Sequence, residues 1–282
     1  MTSTIMKFVI IALMFSATSF AAEVRRGKHF DHIVTIILEN TTYGTAMKNP
    51  YLAALAQRGT FFKKYYGVFH PSYPNYLALV AGNFFWTWLD TQKTIDEPTI
   101  ADLLEDRGYT WKSYAEDYPG NCFLGTTQGK YARRHVPLLS FKAIQQNPER
   151  CGRVVNATEF AQDWAANTLP NYSFFTPNNN DNGHDTNVAT SSKWLHDFLE
   201  PLLADAERMK NTMFFVTFDE SDTIFTNHVY ALALGPMVKT GLTARRGYNH
   251  YSQLKMVEDN FGLDNLGVGD DFADSMDQIF SR

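Results

Sequence analysis

Ser72 is the residue of this sequence whose surroundings best suit a nucleophile. The apolar and aromatic run 60–69 predicts a strand, and Pro74 opens a helical run that ends at Gly82. Ser72 therefore lies at a strand-to-helix turn, where unpaired backbone N–H groups and the helix dipole favour a bound anion such as phosphate. The same position also fits an ordinary helix start, because serine is a favoured N-cap and proline a favoured first helical residue.

Polar clusters follow three strongly apolar runs. The runs 33–38, 172–176 and 212–218 predict strands, and the most apolar of them fit strands buried on both faces of a sheet. Taken singly, each following cluster also fits a strand-end turn or a group of solvated acids. If the strand ends share one edge of a sheet, the clusters converge with the hydroxyl of Ser72. The clusters are Glu39-Asn40, Asn180-Asp181 with His184-Asp185, and Asp219-Glu220.

Convergence of these groups predicts a bound cation. Uncompensated carboxylates repel one another and are costly to desolvate, so a cation is the natural way to offset them. Donors rich in oxygen suit a hard or borderline divalent metal, and the sequence leaves Zn, Mg, Mn and Ca open. A metal beside Ser72 would turn its hydroxyl into an attacking oxygen and neutralise charge on a phosphoryl group.

The elements that must position these residues alternate between strands and helices. This alternation predicts an α/β fold, a three-layer α/β/α sandwich with a mostly parallel central sheet. Segment 116–153 has no clear periodicity and is left unassigned. Helices are predicted at 49–58, 99–107, 156–168, 191–209 and 252–261, and further strands at 109–115 and 229–234.

The N-terminus has the pattern of a secretory signal. Residues 1–21 carry Lys7, a short apolar run and small residues up to Ala21, which predicts a signal peptide cleaved after Ala21. An N-terminal anchor helix is the weaker alternative, since polar residues interrupt the run. We therefore expect a single domain over residues 22–282, with no transmembrane segment after cleavage, in a secreted or periplasmic protein.

Cysteine content and charge narrow the function classes. Cys122 and Cys151 are the only cysteines, and in an oxidising compartment they predict one disulfide that stabilises by roughly 3–4 kcal/mol. Their spacing does not match a zinc site. Removal of Lys7 with the leader changes the formal net charge from −5 to −6. This mild acidity argues against a general nucleic-acid binder or membrane-surface binder.

Four short motifs follow one another along the chain. They are Ile36-Ile37-Leu38-Glu39-Asn40, His70-Pro71-Ser72-Tyr73-Pro74-Asn75-Tyr76, Gly183-His184-Asp185 and Phe218-Asp219-Glu220. Together they resemble the phosphoesterase family of bacterial acid phosphatases and phospholipases C, within the alkaline phosphatase superfamily. The similarity runs from about residue 31 to residue 263. It implies an alkaline phosphatase-like sandwich and hydrolysis of small phosphate esters through a covalent phosphoserine.

The resemblance also implies a metal site. In the acid phosphatase branch of the family, the matching residues hold one metal ion. Ser72 would be the nucleophile as well as a ligand. The ligands carried over to this sequence are Glu39, Asn40, Ser72, Asp219 and Glu220.

Further roles follow from the same resemblance. The serine motif is similar to that of nucleotide pyrophosphatase/phosphodiesterases, which hold a second metal through an aspartate four residues before a histidine. Here that position is Asn180, a poorer cation ligand, which argues against a second metal. Substrate contacts are expected from Asn75 and Asp181, and phosphate contact or leaving-group protonation from His184, Asp185 and His250.

These observations predict a secreted, metal-dependent phosphomonoesterase that is acid phosphatase-like. A phosphodiesterase or phospholipase C is the alternative within the same class, because the aromatic run 84–88 could grip a lipid or a base. A secreted binding protein that kept the fold and lost the metal is the alternative from another class. Comparison of monoester with diester substrates, and metal analysis, would separate the three.

Overall fold

The computed structural model describes residues 25–281, so the predicted signal peptide, residues 1–21, lies outside the described residues. The described chain forms strands of two to seven residues. The strands are β1 (His32–Leu38), β2 (Thr60–Tyr66), β3 (Trp111–Ala115), β4 (Thr127–Gln128), β5 (Tyr131–Ala132), β6 (Val154–Asn156), β7 (Tyr172–Thr176), β8 (Thr212–Phe218), β9 (His228–Val229), β10 (Ala231–Leu234) and β11 (Thr243–Asn249).

Helices connect most of these strands. Three short 3₁₀ helices, Arg133–His135, Pro137–Ser140 and Asp277–Ile279, accompany the α-helices. The α-helices are α1 (Tyr43–Lys48), α2 (Pro50–Leu55), α3 (Ser72–Ala81), α4 (Ile100–Asp106), α5 (Lys142–Gln145), α6 (Pro148–Cys151), α7 (Thr158–Ala166), α8 (Val188–Leu203), α9 (Ala206–Met209) and α10 (His250–Phe261).

One large sheet forms the centre of the described chain. Its strand order is β11-β2-β10-β8-β1-β7-β3-β6, and β9 pairs with β2. The pairs among β8, β1, β7, β3 and β6 are parallel, and so is the β11-β2 pair, whereas β10 runs antiparallel to both of its neighbours. The predicted mostly parallel sheet is therefore confirmed. Strands β1 and β8 lie in its middle because their apolar residues can be buried on both faces.

Helices cover both faces of the sheet. On one face α10 packs against α3 and α4, and Gln253 of α10 donates to Thr35 Oγ1 of β1 at 2.9 Å. On the other face α2 packs against α8, and Tyr230, just before β10, donates its hydroxyl to the carbonyl of Leu52 in α2 at 3.0 Å. The three-layer α/β/α architecture follows from these contacts. No helix within residues 25–281 has the length and apolarity needed to cross a bilayer.

Several elements differ from the sequence prediction, among them β11 and the helix predicted at 191–209. Strand β11 was not predicted, because it is an edge strand whose exposed residues are charged or small. The predicted helix at 191–209 is two helices, since Asp205 caps a new start by accepting from the backbone N–H of Arg208 at 3.1 Å. Neither difference moves the strands that lead to the predicted site.

The unassigned segment 116–153 forms a hairpin of β4 and β5 followed by short helices, and two of its 3₁₀ helices pack against α3. The predicted disulfide between Cys122 and Cys151 is confirmed, with Cα atoms 5.6 Å apart. It joins the start of this segment to the end of α6 and so restrains the 3₁₀ helix Arg133–His135 between them.

Candidate active site

Two neighbouring parallel strands deliver the acids of the site. Strands β1 and β8 are in register, with Leu38 opposite Phe218, so the residues that follow them emerge side by side. These residues are Glu39 and Asp219, and both are completely buried. The convergence predicted for the carboxyl edge of the sheet is therefore seen for this pair of strands.

Ser72 joins these acids from a third element. It is the first residue of α3, and its hydroxyl lies 3.1 Å from Glu39 Oε2 and 3.1 Å from Glu220 Oε1. The residue in the N-cap position is Pro71, and no side chain caps the helix. The alternative in which Ser72 is simply an N-cap is therefore wrong, because its hydroxyl faces carboxylates rather than the helix backbone.

Asn40 and Asp219 each present an unused oxygen. The backbone of Asn40 is left-handed, with φ 47°, a conformation that asparagine tolerates better than most residues. Its N–H donates to Asp219 Oδ1 at 3.2 Å. Asn40 Oδ1 and Asp219 Oδ2 are buried and have no hydrogen-bond partner. Buried oxygens are rarely left unpaired, so this pair fits a bound cation.

Burial dominates the electrostatics of the three acids. It raises the pKa of Asp219 to about 7. Burial, and then the charge of Asp219, raise the pKa of Glu220 to about 9 and hold the pKa of Glu39 well above its usual range. Such a cluster needs protons or a cation to offset its mutual repulsion.

Partners on the protein hold the two glutamates. Tyr76 donates its hydroxyl to Glu39 Oε1, and His70 Nδ1 donates to Glu220 Oε2. Within residues 25–281 no three His, Cys, Asp or Glu side chains form a ready cluster of metal ligands. An oxygen-rich set completed by Asn40 and a serine hydroxyl remains, and its chemistry suits a hard divalent ion.

His135 is a residue that the sequence reasoning missed. It is buried, its Nε2 lies 3.4 Å from Glu39 Oε1, and its ring stacks on Tyr76 with centroids 5.0 Å apart. Burial lowers its pKa well below the usual value, which favours the neutral ring. His135 lies in the unpatterned segment, so no sequence signal could have found it. His70 and Tyr76, by contrast, lie inside the serine motif.

The predicted pair His184 and Asp185 lies at the rim of the site. His184 Nδ1 donates to Asp185 Oδ1 at 2.8 Å, and its Nε2 accepts from Arg134 Nη2 at 3.0 Å. The hydrogen bond from His184 lowers the pKa of Asp185. The rings of His184 and His135 are 5.9 Å apart, which connects this pair to Glu39.

His250 lies behind the acids rather than among them. It is completely buried, its Nε2 donates to the backbone carbonyl of Asp219 at 2.5 Å, and its Nδ1 accepts from the Tyr65 hydroxyl at 3.2 Å. Burial lowers its pKa to about 4. Both ring nitrogens are engaged with the protein, so the structure gives His250 a supporting place and not a substrate contact.

The two residues expected to contact substrate do not reach the Ser72 hydroxyl. The Asn75 carboxamide is completely buried and is saturated by the backbone of residues 68–71: it accepts from two N–H groups and donates to two carbonyls. Asp181 accepts from Asn178 Nδ2 at 2.9 Å and lies beside Glu116. Asn75 therefore shapes the loop before the nucleophile, and Asp181 belongs to a different cluster.

Two exposed apolar loops flank the segment that leads to Ser72. The Phe69 ring lies 5.5 Å from Phe84 and 4.7 Å from Trp88, within the aromatic loop 84–88. Its carbonyl accepts from Asn227, which ends the loop 221–227. Trp86 is 76% exposed in the first loop, and Phe225 is 89% exposed in the second.

The chain is similar in sequence to known phosphatases. The statistical model of the Phosphoesterase family matches residues 41–264 of the chain. A probable acid phosphatase of Kluyveromyces lactis is 37% identical over 281 residues, which cover 94% of this chain and 66% of that protein. A phosphate-repressible acid phosphatase of Penicillium chrysogenum is 33% identical, and the match covers 91% of this chain and 65% of that protein. A phosphatidylinositol-3-phosphatase of Mycobacterium tuberculosis is 31% identical, and the match covers 84% of this chain and 79% of that protein. The chain thus spans about two thirds of the length of the fungal relatives.

Solved structures show the same fold at low identity. A protein of the alkaline phosphatase superfamily from Vibrio parahaemolyticus has a TM-score of 0.58 at 16% identity, with 89% of this chain and 72% of that chain covered. Murine ectonucleotide pyrophosphatase/phosphodiesterase 5, solved in complex with AMP, has a TM-score of 0.57 at 11% identity, with 89% and 100% covered. The predicted alkaline phosphatase-like architecture is confirmed by these similarities.

Proposed function

This chain belongs to the Phosphoesterase family, and on that premise we propose that it hydrolyses phosphomonoesters with Ser72 as the nucleophile. The observation that carries the proposal is the position of the Ser72 hydroxyl, 3.1 Å from carboxylate oxygens of Glu39 and Glu220 at the start of a helix. The similarity to acid phosphatases supports the same reaction.

The residues around Ser72 suit a covalent mechanism. A carboxylate oxygen at 3.1 Å can accept the hydroxyl proton while the serine oxygen forms a bond to phosphorus and the alcohol leaves. The positive end of the α3 dipole, which lies at Ser72, then stabilises the negative charge that gathers on the phosphoryl oxygens. Attack of water on the resulting phosphoserine releases inorganic phosphate and restores the hydroxyl.

We further propose that one divalent metal ion binds at this site. When bound, it supplies positive charge to the serine oxygen and to the phosphoryl group. The unpartnered oxygens of Asn40 and Asp219 support its place. The residues proposed to hold it are Glu39, Asn40, Ser72, Asp219 and Glu220.

A second candidate function is hydrolysis of diesters or of phospholipids. The exposed side chains Trp86 and Phe225, on the two loops fastened to Phe69, favour it, because they could contact a bulky apolar leaving group. Both candidates use the same nucleophile. They differ in the ester that the site accepts.

Comparison of Ser72→Ala with wild type on aryl phosphomonoester and bis-aryl diester substrates tests both candidates. The enzyme is chelated first, and Zn, Mg, Mn or Ca is then added back singly. We expect the variant to lose at least about 10³-fold in turnover with its circular dichroism unchanged. Ser281→Ala, at an exposed position, is the matched control. Metal-dependent activity close to wild type in Ser72→Ala would remove Ser72 as nucleophile, and faster diester turnover in wild type would favour the second candidate.

We also propose export from the cytoplasm. The disulfide between Cys122 and Cys151 suits an oxidising compartment, in agreement with the signal pattern in residues 1–21. N-terminal sequencing of the protein from its native cells should begin at Ala22. An intact N-terminus on a cytoplasmic protein would contradict export.

A further inference from the structure

Arg134 is a partly buried cation beside the site that no sequence motif contains. It lies in the 3₁₀ helix Arg133–His135, which packs against α3, and its side chain is 14% exposed. Its guanidinium makes one hydrogen bond within the described part of the chain, to His184. The Nε atom is buried without a partner. Most of its donors are therefore free for a ligand.

Two connections place Arg134 at the start of α3. Asp90 Oδ1 accepts from the backbone N–H of Tyr73, the residue after Ser72, at 3.0 Å, and Asp90 Oδ2 lies 3.8 Å from Arg134 Nε. His135, the next residue along the chain, lies 3.4 Å from Glu39.

We propose that Arg134 binds two non-bridging oxygens of the phosphoryl group and thereby makes the site prefer monoesters over diesters. The inference rests on the proposed hydrolysis of phosphate esters. It assigns Arg134 as a catalytic residue that touches substrate, and Asp90 and His184 as residues that position it. It thus separates the two candidate functions that share Ser72.

The selectivity follows from the charge and shape of the two substrates. A phosphomonoester is largely a dianion near neutral pH, because its second pKa is about 6, and it has three non-bridging oxygens. A planar guanidinium can bond two of them side by side. A diester is a monoanion in which one of these oxygens carries an organic group. Two non-bridging oxygens remain, and with one of them directed to the proposed cation the arginine loses an acceptor and part of the charge attraction.

Asp90 and His184 supply the orientation. Asp90 Oδ2 lies 3.8 Å from Arg134 Nε, within ion-pair distance, while Asp90 Oδ1 accepts from the α3 backbone. His184 accepts from Arg134 Nη2 and donates to Asp185. This arrangement leaves His184 Nε2 as an acceptor facing a cation. Both ring nitrogens of His184 are thus engaged, one with Asp185 and one with Arg134, and the ring orients the guanidinium.

The test compares Arg134→Ala and Arg134→Lys with wild type on a matched pair of aryl monoester and bis-aryl diester. We expect kcat/KM for the monoester to fall by about 10²-fold in the alanine variant, and kcat/KM for the diester by about 10-fold or less. The lysine variant should recover part of the monoester rate but not the wild-type ratio, because it lacks the fork. Added guanidinium should raise the monoester rate of the alanine variant. Arg107→Ala, which removes an exposed arginine paired with Asp264, is the control and should leave the ratio unchanged.

Binding of inorganic phosphate, measured by calorimetry, tests the arginine without turnover. Wild type should bind phosphate, and Arg134→Ala should bind it at least about 10-fold more weakly, with an unchanged melting curve. Equal phosphate affinity in both proteins, no binding to wild type, or equal losses on both esters without guanidinium rescue would each overturn the role of Arg134. Absence of hydrolysis in wild type, with phosphate binding still dependent on Arg134, would overturn the proposed function alone.

The place of Asp90 gives an independent check. Asp90→Asn should lower the monoester rate in wild type but add little in the Arg134→Ala background, because its effect passes through the arginine. Full additivity of the two losses would mean that Asp90 acts on α3 and does not position Arg134.

Discussion

At the scale of single residues, three acids share a buried space around one hydroxyl. Glu39, Asp219 and Glu220 all have pKa values raised first by burial, which means that each carboxylate has lost water without gaining a nearby positive partner of equal charge. Asn40 Oδ1 and Asp219 Oδ2 have no hydrogen-bond partner there. Burial of these acids lowers the free energy of unfolding. Clusters of acids with shifted pKa values are typical of functional sites.

Asp219→Asn tests this balance. The change removes one charge but keeps an oxygen that can accept from the backbone of Asn40. We expect the bound metal to fall from about one equivalent to near zero by elemental analysis, and the melting temperature of the chelated protein to rise by about 2 °C or more as repulsion is relieved. The exposed Asp264→Asn should change neither value. Full metal content in Asp219→Asn would contradict the ligand role.

Glu258 gives a pH prediction away from the site. Both of its carboxyl oxygens are buried without a partner, and burial, followed by the charge of Asp270, raises its pKa to about 9. Between the unfolded value of 4.5 and about 9, the folded protein holds a proton that the unfolded chain releases. The free energy of unfolding should therefore fall as pH rises through this window.

Glu258→Gln mimics the protonated acid and should remove the fall in the free energy of unfolding at high pH. In urea unfolding at pH 5 and pH 8, we expect the variant to gain about 1 kcal/mol or more over wild type at pH 8 and little at pH 5. Glu207→Gln, on the exposed side of α9, is the control. An equal gain in the free energy of unfolding at pH 5 and pH 8 would show that the effect of Glu258 does not come from its ionisation.

At the scale of elements, the start of α3 is set by the loop before it. The Asn75 side chain makes four hydrogen bonds to the backbone of residues 68–71, and these bonds fix where Ser72 begins the helix. His250 supports the other side in the same way, through the backbone of Asp219. Polar side chains inside the fold thus orient the backbone that carries the reacting groups.

Asn75→Ala should therefore act on stability and turnover together. Loss of bonds to buried backbone groups should cost roughly 2–4 kcal/mol in urea unfolding and lower kcat, with little change in KM. Asn75→Asp keeps the acceptor and loses both donors, so an intermediate effect is expected. A raised KM with unchanged stability would instead support the substrate contact that the sequence suggested.

At the scale of the whole molecule, a disulfide-braced segment completes the site from outside the regular α/β layers. Residues 116–153 bring Arg134 and His135 to the acids, and the bond between Cys122 and Cys151 restrains this segment. The site therefore depends on the docking of a segment whose own secondary structure is short. Local order in such a segment can be lost before the sheet unfolds.

The double variant Cys122→Ser/Cys151→Ser measures that dependence. The chain-entropy model gives a loss of roughly 3–4 kcal/mol for a loop of this length, or a fall of roughly 5–10 °C in melting temperature. Activity should disappear at a lower temperature than the circular dichroism signal of the sheet. Wild type treated with reductant should lose activity and circular dichroism signal in the same way as the double variant. If the two signals are lost at the same temperature in both samples, the segment stays docked without the disulfide.

Local sequence patterns were enough to predict the central sheet and the acids at its edge. Strands such as β1 and β8 are apolar along their whole length, and residues that follow a buried strand must emerge at its end, so Glu39 and Asp219 could be placed from local pattern alone. The helix that starts near Ser72 was equally visible, although not the direction of its hydroxyl.

Which other groups lie beside Glu39 and Asp219 depends on the packing of elements that are distant in the sequence. Arg134 and His135 lie in a stretch without periodicity, and their contacts with His184 and Glu39, respectively, depend on long-range packing that no local signal encodes. Asn75 and His250 carry polar side chains suited to substrate, yet the fold commits both to its own backbone. The physical reason is that burial pattern sets secondary structure locally, whereas the hydrogen-bond partners of a buried polar group are known only once all elements are packed.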